Sequence, residues 1–265
     1  MINAIMIKMI FACTRILAYH SIHPTRLDTL ALHPDEFYRQ MKWLASLGWQ
    51  GVSLAEYVRL TSQPNGESLK IFAVTFDDGY ADNLKYALPV LKEFNFNATI
   101  FVVVDRIGTD IIHETKWLSL YPNVSRSDYR YLNWNEVNEL LDAGMEIGAH
   151  TCTHVLLDEV NYQTRFAEIA DCRTKLEQTI VVPIVSFCYP KGQYNKQTLE
   201  IVKASGYNQA VVTPNKIKRF KQPDVYQLRR IGVYHNDNLF RFRLKCLPVF
   251  DMIRMLRSYH SILEL

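Results

Sequence analysis

An unbroken apolar run, Ile71-Phe72-Ala73-Val74, ends in Thr75-Phe76-Asp77-Asp78-Gly79. A strand apolar at successive positions is buried on both faces, and such strands belong to parallel sheets covered by helices. Lys70 to Phe76 is therefore expected as one strand of an α/β sheet or barrel, with two carboxylates emerging at its end. Further strand and helix signals alternate along the chain. Strands are expected at Ile16 to Tyr19, Ala98 to Val104, 145–149, 184–189, 209–213 and 228–234. Helices are expected from Pro34 to Leu47, Ala81 to Phe94 (with Pro89 as a kink), Trp134 to Ala143, Tyr162 to Ile180 and over 196–205. Repeated βα units of about 30–45 residues favour a parallel sheet or barrel. Ile107 to Leu132 reads as a long irregular loop.

The chain has 265 residues, 48% of them apolar, which is enough for one large core and is expected to form a single domain over 1–265. A formal charge of +3 is too small to point to nucleic acid. The five cysteines include no C-x-x-C pair, so neither a disulfide framework nor a cysteine zinc site is expected, and Cys13 and Cys246 read as small apolar fillers. Lys8 interrupts the apolar N-terminus and no cleavage site follows, so a signal peptide is not expected and the chain reads as cytoplasmic. No run reaches the roughly 18 apolar residues of a spanning helix. The stretch 238–265 mixes Phe240, Phe242, Leu244 and Leu247 with Arg241, Arg243 and Lys245. It reads as a terminal helix packed on the core with a solvated basic face; the sharper alternative is peripheral contact with an anionic membrane.

In a barrel, side chains at the C-terminal ends of strands share one mouth. Asp77, Asp78, His150 and Tyr189-Pro190 all fall just past expected strands, so they can converge. His150 and His154, four apart, can share a helical face or wrap a tight loop. Two neutral imidazoles and one carboxylate suit zinc or a similar divalent metal ion and leave positions open for water and substrate. Zinc lowers the pKa of a bound water from about 15.7 to about 7, roughly 12 kcal/mol of help toward hydroxide. A second carboxylate beside that water acts as general base.

Thr75-Phe76-Asp77-Asp78-Gly79 and His150-Thr151-Cys152-Thr153-His154 resemble the first two motifs of the polysaccharide deacetylases, the NodB-homology or carbohydrate esterase family 4 group. Phe187-Cys188-Tyr189-Pro190-Lys191-Gly192-Gln193-Tyr194 resembles the third motif. Leu17-Ala18-Tyr19-His20-Ser21-Ile22 and Leu228-Arg229-Arg230-Ile231 resemble the opening and closing segments of members found with exopolysaccharide synthesis. The likeness covers about 15–236. It implies a distorted (β/α)7 barrel, Asp77 as catalytic base, Asp78, His150 and His154 as metal ligands, and hydrolysis of an acetamido group on an N-acetylated glycan. It also implies an oxyanion held by the metal and a backbone N–H near Tyr189, Pro190 and Lys191.

Two positions depart from the family pattern. Many relatives carry a late Leu-x-His that supplies the proton for the leaving amine; here His235 and His20 are the candidates. The third motif often carries an arginine that pairs with the base, and Cys188 stands in its place; Arg230 is the candidate substitute. His23, His33, His113 and His260 belong to no constellation and are expected at the surface. Trp117, Tyr121, Tyr129, Tyr131 and Trp134 are expected to pack in the core, with a sugar-stacking rim as the alternative. Other functions compatible with these residues are O-acetyl ester cleavage, hydrolysis of a small cyclic amide or ureide, and glycan binding without catalysis.

Overall fold

The computed structural model describes residues 15–26, 28–109, 129–212 and 224–247. The apolar N-terminus with Cys13, most of the irregular stretch including His113, Trp117 and Tyr121, and the tail beyond 247 with His260 lie outside the described residues.

Ten strands are described: β1 (Ile16–Tyr19), β2 (Ser21–Ile22), β3 (Ala31–Leu32), β4 (Gln50–Val52), β5 (Ile71–Phe76), β6 (Thr99–Val102), β7 (Glu146–Ala149), β8 (Ser186–Cys188), β9 (Gln209–Val211) and β10 (Ile231–Gly232). The main sheet runs β10-β1-β5-β6-β7-β8-β9, and all its pairings are parallel. Leu228 bridges in parallel to Val211 on the last strand of that order, while Ile231 and Gly232 pair with Leu17 and Ala18 on β1. The segment from Leu228 to Gly232 thus joins the two ends of the sheet and curls it into a seven-stranded ring. The expected strand over 228–234 shrinks to β10 because its residues change partner halfway.

The ring is distorted at β5. Its first half, Ile71 to Ala73, pairs with β4, and its second half, Thr75 to Phe76, pairs with β6 on that side. Neither β4 nor the helix Leu54–Thr61 that follows it was expected from the sequence. The reason is Gly51, which weakens the strand signal. A Cβ there would fall 2.8 Å from the Phe96 ring, so packing demands the glycine.

The two-residue period of a strand sorts its side chains into the ring or out toward the helices. Phe72, Val74 and Phe76 join the large outer core, whereas Ala73 faces a small inner cluster with Ile16, Phe101, Cys188 and Val211. Asp77 therefore continues the inner line of Ala73 and Thr75. By the same alternation His20 continues the line of Ile16 and Ala18, and His150 follows Gly148. A Cβ at Gly148 would meet Phe101 at 2.5 Å, so the inside of the ring is filled.

Two expected helices are interrupted by π turns, Asn83–Ala87 ahead of Leu88–Glu93, and Ala167–Asp171 between Tyr162–Phe166 and Cys172–Ile180. Pro89 has no N–H to offer the preceding turn, which accounts for the first. His23 corrects its surface expectation: it is buried, its ring lies 5.2 Å from Tyr129, and its Nδ1 accepts from the Thr25 and Arg26 amides. His33 is the N-cap of helix Pro34–Ser46, accepting from the Asp35 amide. Tyr129 and Tyr131 are buried, as core packing required. Cys152, Cys172, Cys188 and Cys246 are all buried.

Candidate active site

Asp77 and Asp78 are neighbours in sequence with opposite surroundings. Asp77, buried, receives Nη1 and Nη2 of Arg230 on its two oxygens, each at 2.7 Å. Arg230 is itself fully buried; it also donates to Thr75 Oγ1 at 3.0 Å and lies 5.9 Å from the centre of the Phe101 ring. Burial acts to raise the Asp77 carboxyl. The charge and hydrogen bonds of Arg230, aided by His20 and His150, outweigh it and hold Asp77 well below the ordinary carboxylate range. His20 Nε2 stands 3.8 Å from Asp77 Oδ2. Cys188 Sγ lies 3.6 Å from Asp77 Oδ1 and 3.2 Å from Arg230 Nη2. Burial pushes the Cys188 thiol well up, so it remains protonated and cannot take over the charge an arginine would bring.

Asp78 leaves the strand with φ 71°, followed by Gly79 at φ 74°, and this left-handed pair swings its carboxylate away from Arg230. It faces imidazoles instead. Asp78 Oδ1 is 3.3 Å from His154 Nε2 and 3.7 Å from His150 Nε2, and the two rings sit 4.9 Å apart. The histidines wrap a tight loop rather than a helical face, with Thr151 and His154 at φ 67° and 68°. Thr151 Oγ1 accepts from the His154 amide at 2.9 Å, and Glu168 accepts from the Thr153 amide and hydroxyl at 2.9 and 2.7 Å. Glu168 comes from the π turn Ala167–Asp171. Sequence reasoning missed both anchors, because no residue pattern announces that turn.

The donor chemistry fits a cation. His150 Nδ1 lies 2.8 Å from the Cys188 carbonyl, an acceptor, so Nδ1 carries the proton and Nε2 presents a lone pair. Burial lowers the pKa of His150 and, together with its neighbour His150, that of His154 to about 4, so both rings are neutral at ordinary pH. A bare Nε2 and a carboxylate oxygen facing one another repel unless a cation lies between them. Ligands about 2.0–2.1 Å from a tetrahedral ion sit about 3.3 Å apart, close to the spacing observed. Ligand atoms of Asp78, His150 and His154 all fall within 4.8 Å of one another. Asp77, His150 and Cys188 also cluster within that limit. That second group is a poor ligand set, since Arg230 occupies both Asp77 oxygens and the thiol is protonated.

The remaining candidates divide. His235 is turned away: its Nδ1 meets the Ala31 carbonyl at 3.1 Å and its amide donates to Thr29, so it is anchored on the β3 side while His20 stands beside Asp77. Tyr189 has no side chain to offer a substrate, because it is buried in the outer core with its hydroxyl donating to the Tyr226 carbonyl at 3.1 Å. Its amide donates to Val211, and those of Gly192 and Gln193 are also engaged. Pro190 is buried and has no N–H. Lys191, exposed at φ 50°, has the one amide in this turn with no bond among the described residues.

Paired carboxylates and imidazoles gathered at the strand ends of a parallel barrel are the arrangement on which the comparisons with known proteins bear. The polysaccharide deacetylase family profile matches residues 65–210, and the chain belongs to that family. YxkH of Bacillus subtilis (strain 168), named for polysaccharide deacetylation, is 32% identical over 82% of this chain and 70% of its own length. The poly-β-1,6-N-acetyl-D-glucosamine N-deacetylase of Escherichia coli (strain K12) is 23% identical; the match covers 88% of this chain but only 38% of that protein. Among solved structures, the Streptococcus pyogenes deacetylase PplD aligns with a TM-score of 0.71 at 24% identity, over 89% of this chain and 98% of its own. IcaB from Ammonifex degensii aligns at 0.67 with 21% identity, over 87% and 95%. These likenesses carry the NodB-type distorted (β/α)7 barrel.

Proposed function

We propose that this chain is a metal-dependent hydrolase that removes N-acetyl groups from N-acetylhexosamine units of a polysaccharide, oligosaccharide or glycan precursor, in the exopolysaccharide-associated branch of its family. The observation that carries the reading is the split between the two aspartates, one locked to Arg230 and one facing two neutral imidazoles. The E. coli relative's name, which specifies an N-acetylglucosamine polymer, supports the substrate class.

In this reading Asp78, His150 and His154 hold a divalent metal ion, zinc foremost. Such an ion supplies acidification of a water and polarisation of the acetyl carbonyl, which a base as weak as the Arg230-paired Asp77 requires. Asp77 takes the proton of the attacking water. Arg230 keeps Asp77 ionised and fixes the direction of its oxygens. The Lys191 amide donates to the developing oxyanion. His20, beside Asp77 at 3.8 Å, gives the leaving amine its proton, and His235 serves only to anchor its own segment.

We take residues 15–236 as the deacetylase core, acting on the cytoplasmic side. The exposed Phe240 with Arg241 and Arg243, on the helix Leu239–Lys245, supports peripheral contact with an anionic membrane. Among the described residues no helix is long and apolar enough to cross one.

The test is acetate release from a panel of N-acetylated glycans, with and without chelator. Acetate together with a new primary amine, both lost on chelation, is the expected result. Acetate without the amine would mean ester cleavage, and binding without either product would mean a silent glycan-binding protein.

A further inference from the structure

Several cations on this surface are matched by carboxylates. Arg130 pairs with Glu136, Arg59 with Glu56, Lys203 with Asp224, and Arg173 with Glu177. Arg106, beside the candidate metal ligands, is not so matched. Its neighbour Asp105 turns to Lys175 at 3.1 Å, and Arg106 meets no carboxylate among the described residues. A guanidinium carries a fork of donors. Here only Nη1 is engaged, donating to Tyr131 Oη at 3.1 Å, with the guanidinium 5.3 Å from the centre of that ring.

The position of Arg106 is built rather than incidental. It ends the short 3-10 turn Val104–Arg106 that follows β6, the strand next to the histidine-bearing β7. The amides of Val104 and Asp105 donate to the carbonyls of Thr151 and Cys152, at 3.3 and 3.0 Å, which ties this turn to the loop between His150 and His154. Tyr131 stacks on Tyr80 at 5.4 Å and 16°, and Tyr80 follows Asp78 and Gly79 directly. The half-buried guanidinium is thus fixed at the mouth on an aromatic base, with donors to spare. Across β7, the turn after β8 presents Lys191, exposed and also without a carboxylate among the described residues. Two unmatched cations therefore flank the histidine loop from the adjoining strand ends.

Resting on the deacetylase reading, we propose that Arg106, with Lys191 opposite, recognises an anionic group carried by the glycan on or next to the reacting N-acetylhexosamine, a carboxylate or a phosphate. Arg106 is a specificity residue in this proposal. A planar fork suits either oxyanion bidentately.

The experiment compares three glycans of equal length: a neutral N-acetylglucosamine oligosaccharide, one with alternating glucuronate, and one bearing a 6-phosphate. Acetate release is read as kcat/KM for the wild-type chain, Arg106→Gln and Arg106→Lys. Binding of the same three is measured by calorimetry with chelator present, which is independent of turnover. The wild type is expected to favour at least one anionic glycan about tenfold, the worth of one charge-assisted hydrogen bond. The preference should appear in KM, weaken as salt rises, fall to near one in Arg106→Gln and survive partly in Arg106→Lys. The arm that wins identifies the carboxylate or the phosphate. Equal handling of all three glycans by the wild type, or a uniform loss across them in Arg106→Gln, would overturn the proposal. If no acetate appears but the binding preference does, the deacetylase reading fails and the anion site stands.

Discussion

Asp77 and Asp78 share a dipeptide and a burial depth, yet the chain treats them as different chemical objects. Asp77 lies on the inner line of β5 and is saturated by a buried arginine. Asp78, the next residue and itself left-handed, faces two neutral imidazoles. A carboxylate already bridged by a guanidinium is a poor metal ligand but stays charged; one facing neutral imidazoles can share a cation with them. Strand alternation and a glycine turn are thus enough to divide one acidic pair into an arginine-paired carboxylate and one that faces imidazoles.

The largest effect should come from the ligand half. His154→Ala is expected to lose bound metal and at least about 10³-fold in acetate release, since Asp77 would then face a water that no ion acidifies. Metal analysis alongside the rate checks it; full activity in a metal-free His154→Ala protein would break the contrast between the halves.

Next comes the locked half. Arg230→Met should cost about 3–5 kcal/mol in chemical denaturation, because it leaves the Asp77 charge buried without its partner. The same variant should lower kcat while leaving metal content near one per chain. Loss of metal from it would mean that the two halves are not separable.

The pH dependence of metal retention sharpens the comparison further. Ligand imidazoles must be neutral, and burial lowers His154 to about 4. Metal should therefore stay bound as pH falls through 6 and 5, with protons competing for His154 only near about 4 and below. Release centred near the ordinary histidine value of about 6.5 would show that these rings are not held neutral by their surroundings. The smallest effect is expected at Cys188→Ser. A protonated thiol contributes packing and weak hydrogen bonds, so stability should change by about 1 kcal/mol and the metal content should not change.

Much of this site is legible in the sequence where a local rule decides it. The apolar run of β5 followed by Asp77-Asp78-Gly79 specifies a strand end with a sharp turn, and the spacing of His150 and His154 permits a chelate. The parts that needed coordinates depend on distant segments meeting. Arg230 reaches Asp77 only because Leu228 to Gly232 joins the two ends of the sheet, a closure that no local pattern records. Gly51 hides β4 because its missing side chain serves Phe96 from another element. Tyr189 reads as a binding residue from its motif, yet its ring packs outward by strand alternation, and in that turn it is the Lys191 amide that has no bond among the described residues. His23 looked superficial because nothing in its sequence context foretells the Tyr129 ring beside it.

The most direct measurement pairs metal content with acetate release in Asp77→Asn and Asp78→Asn, purified side by side. The division described here requires Asp77→Asn to retain its metal and lose turnover by about 10²–10⁴-fold, and Asp78→Asn to lose metal and turnover together. Equal metal loss in both proteins, or an Asp77→Asn enzyme that turns over at the wild-type rate, would contradict it.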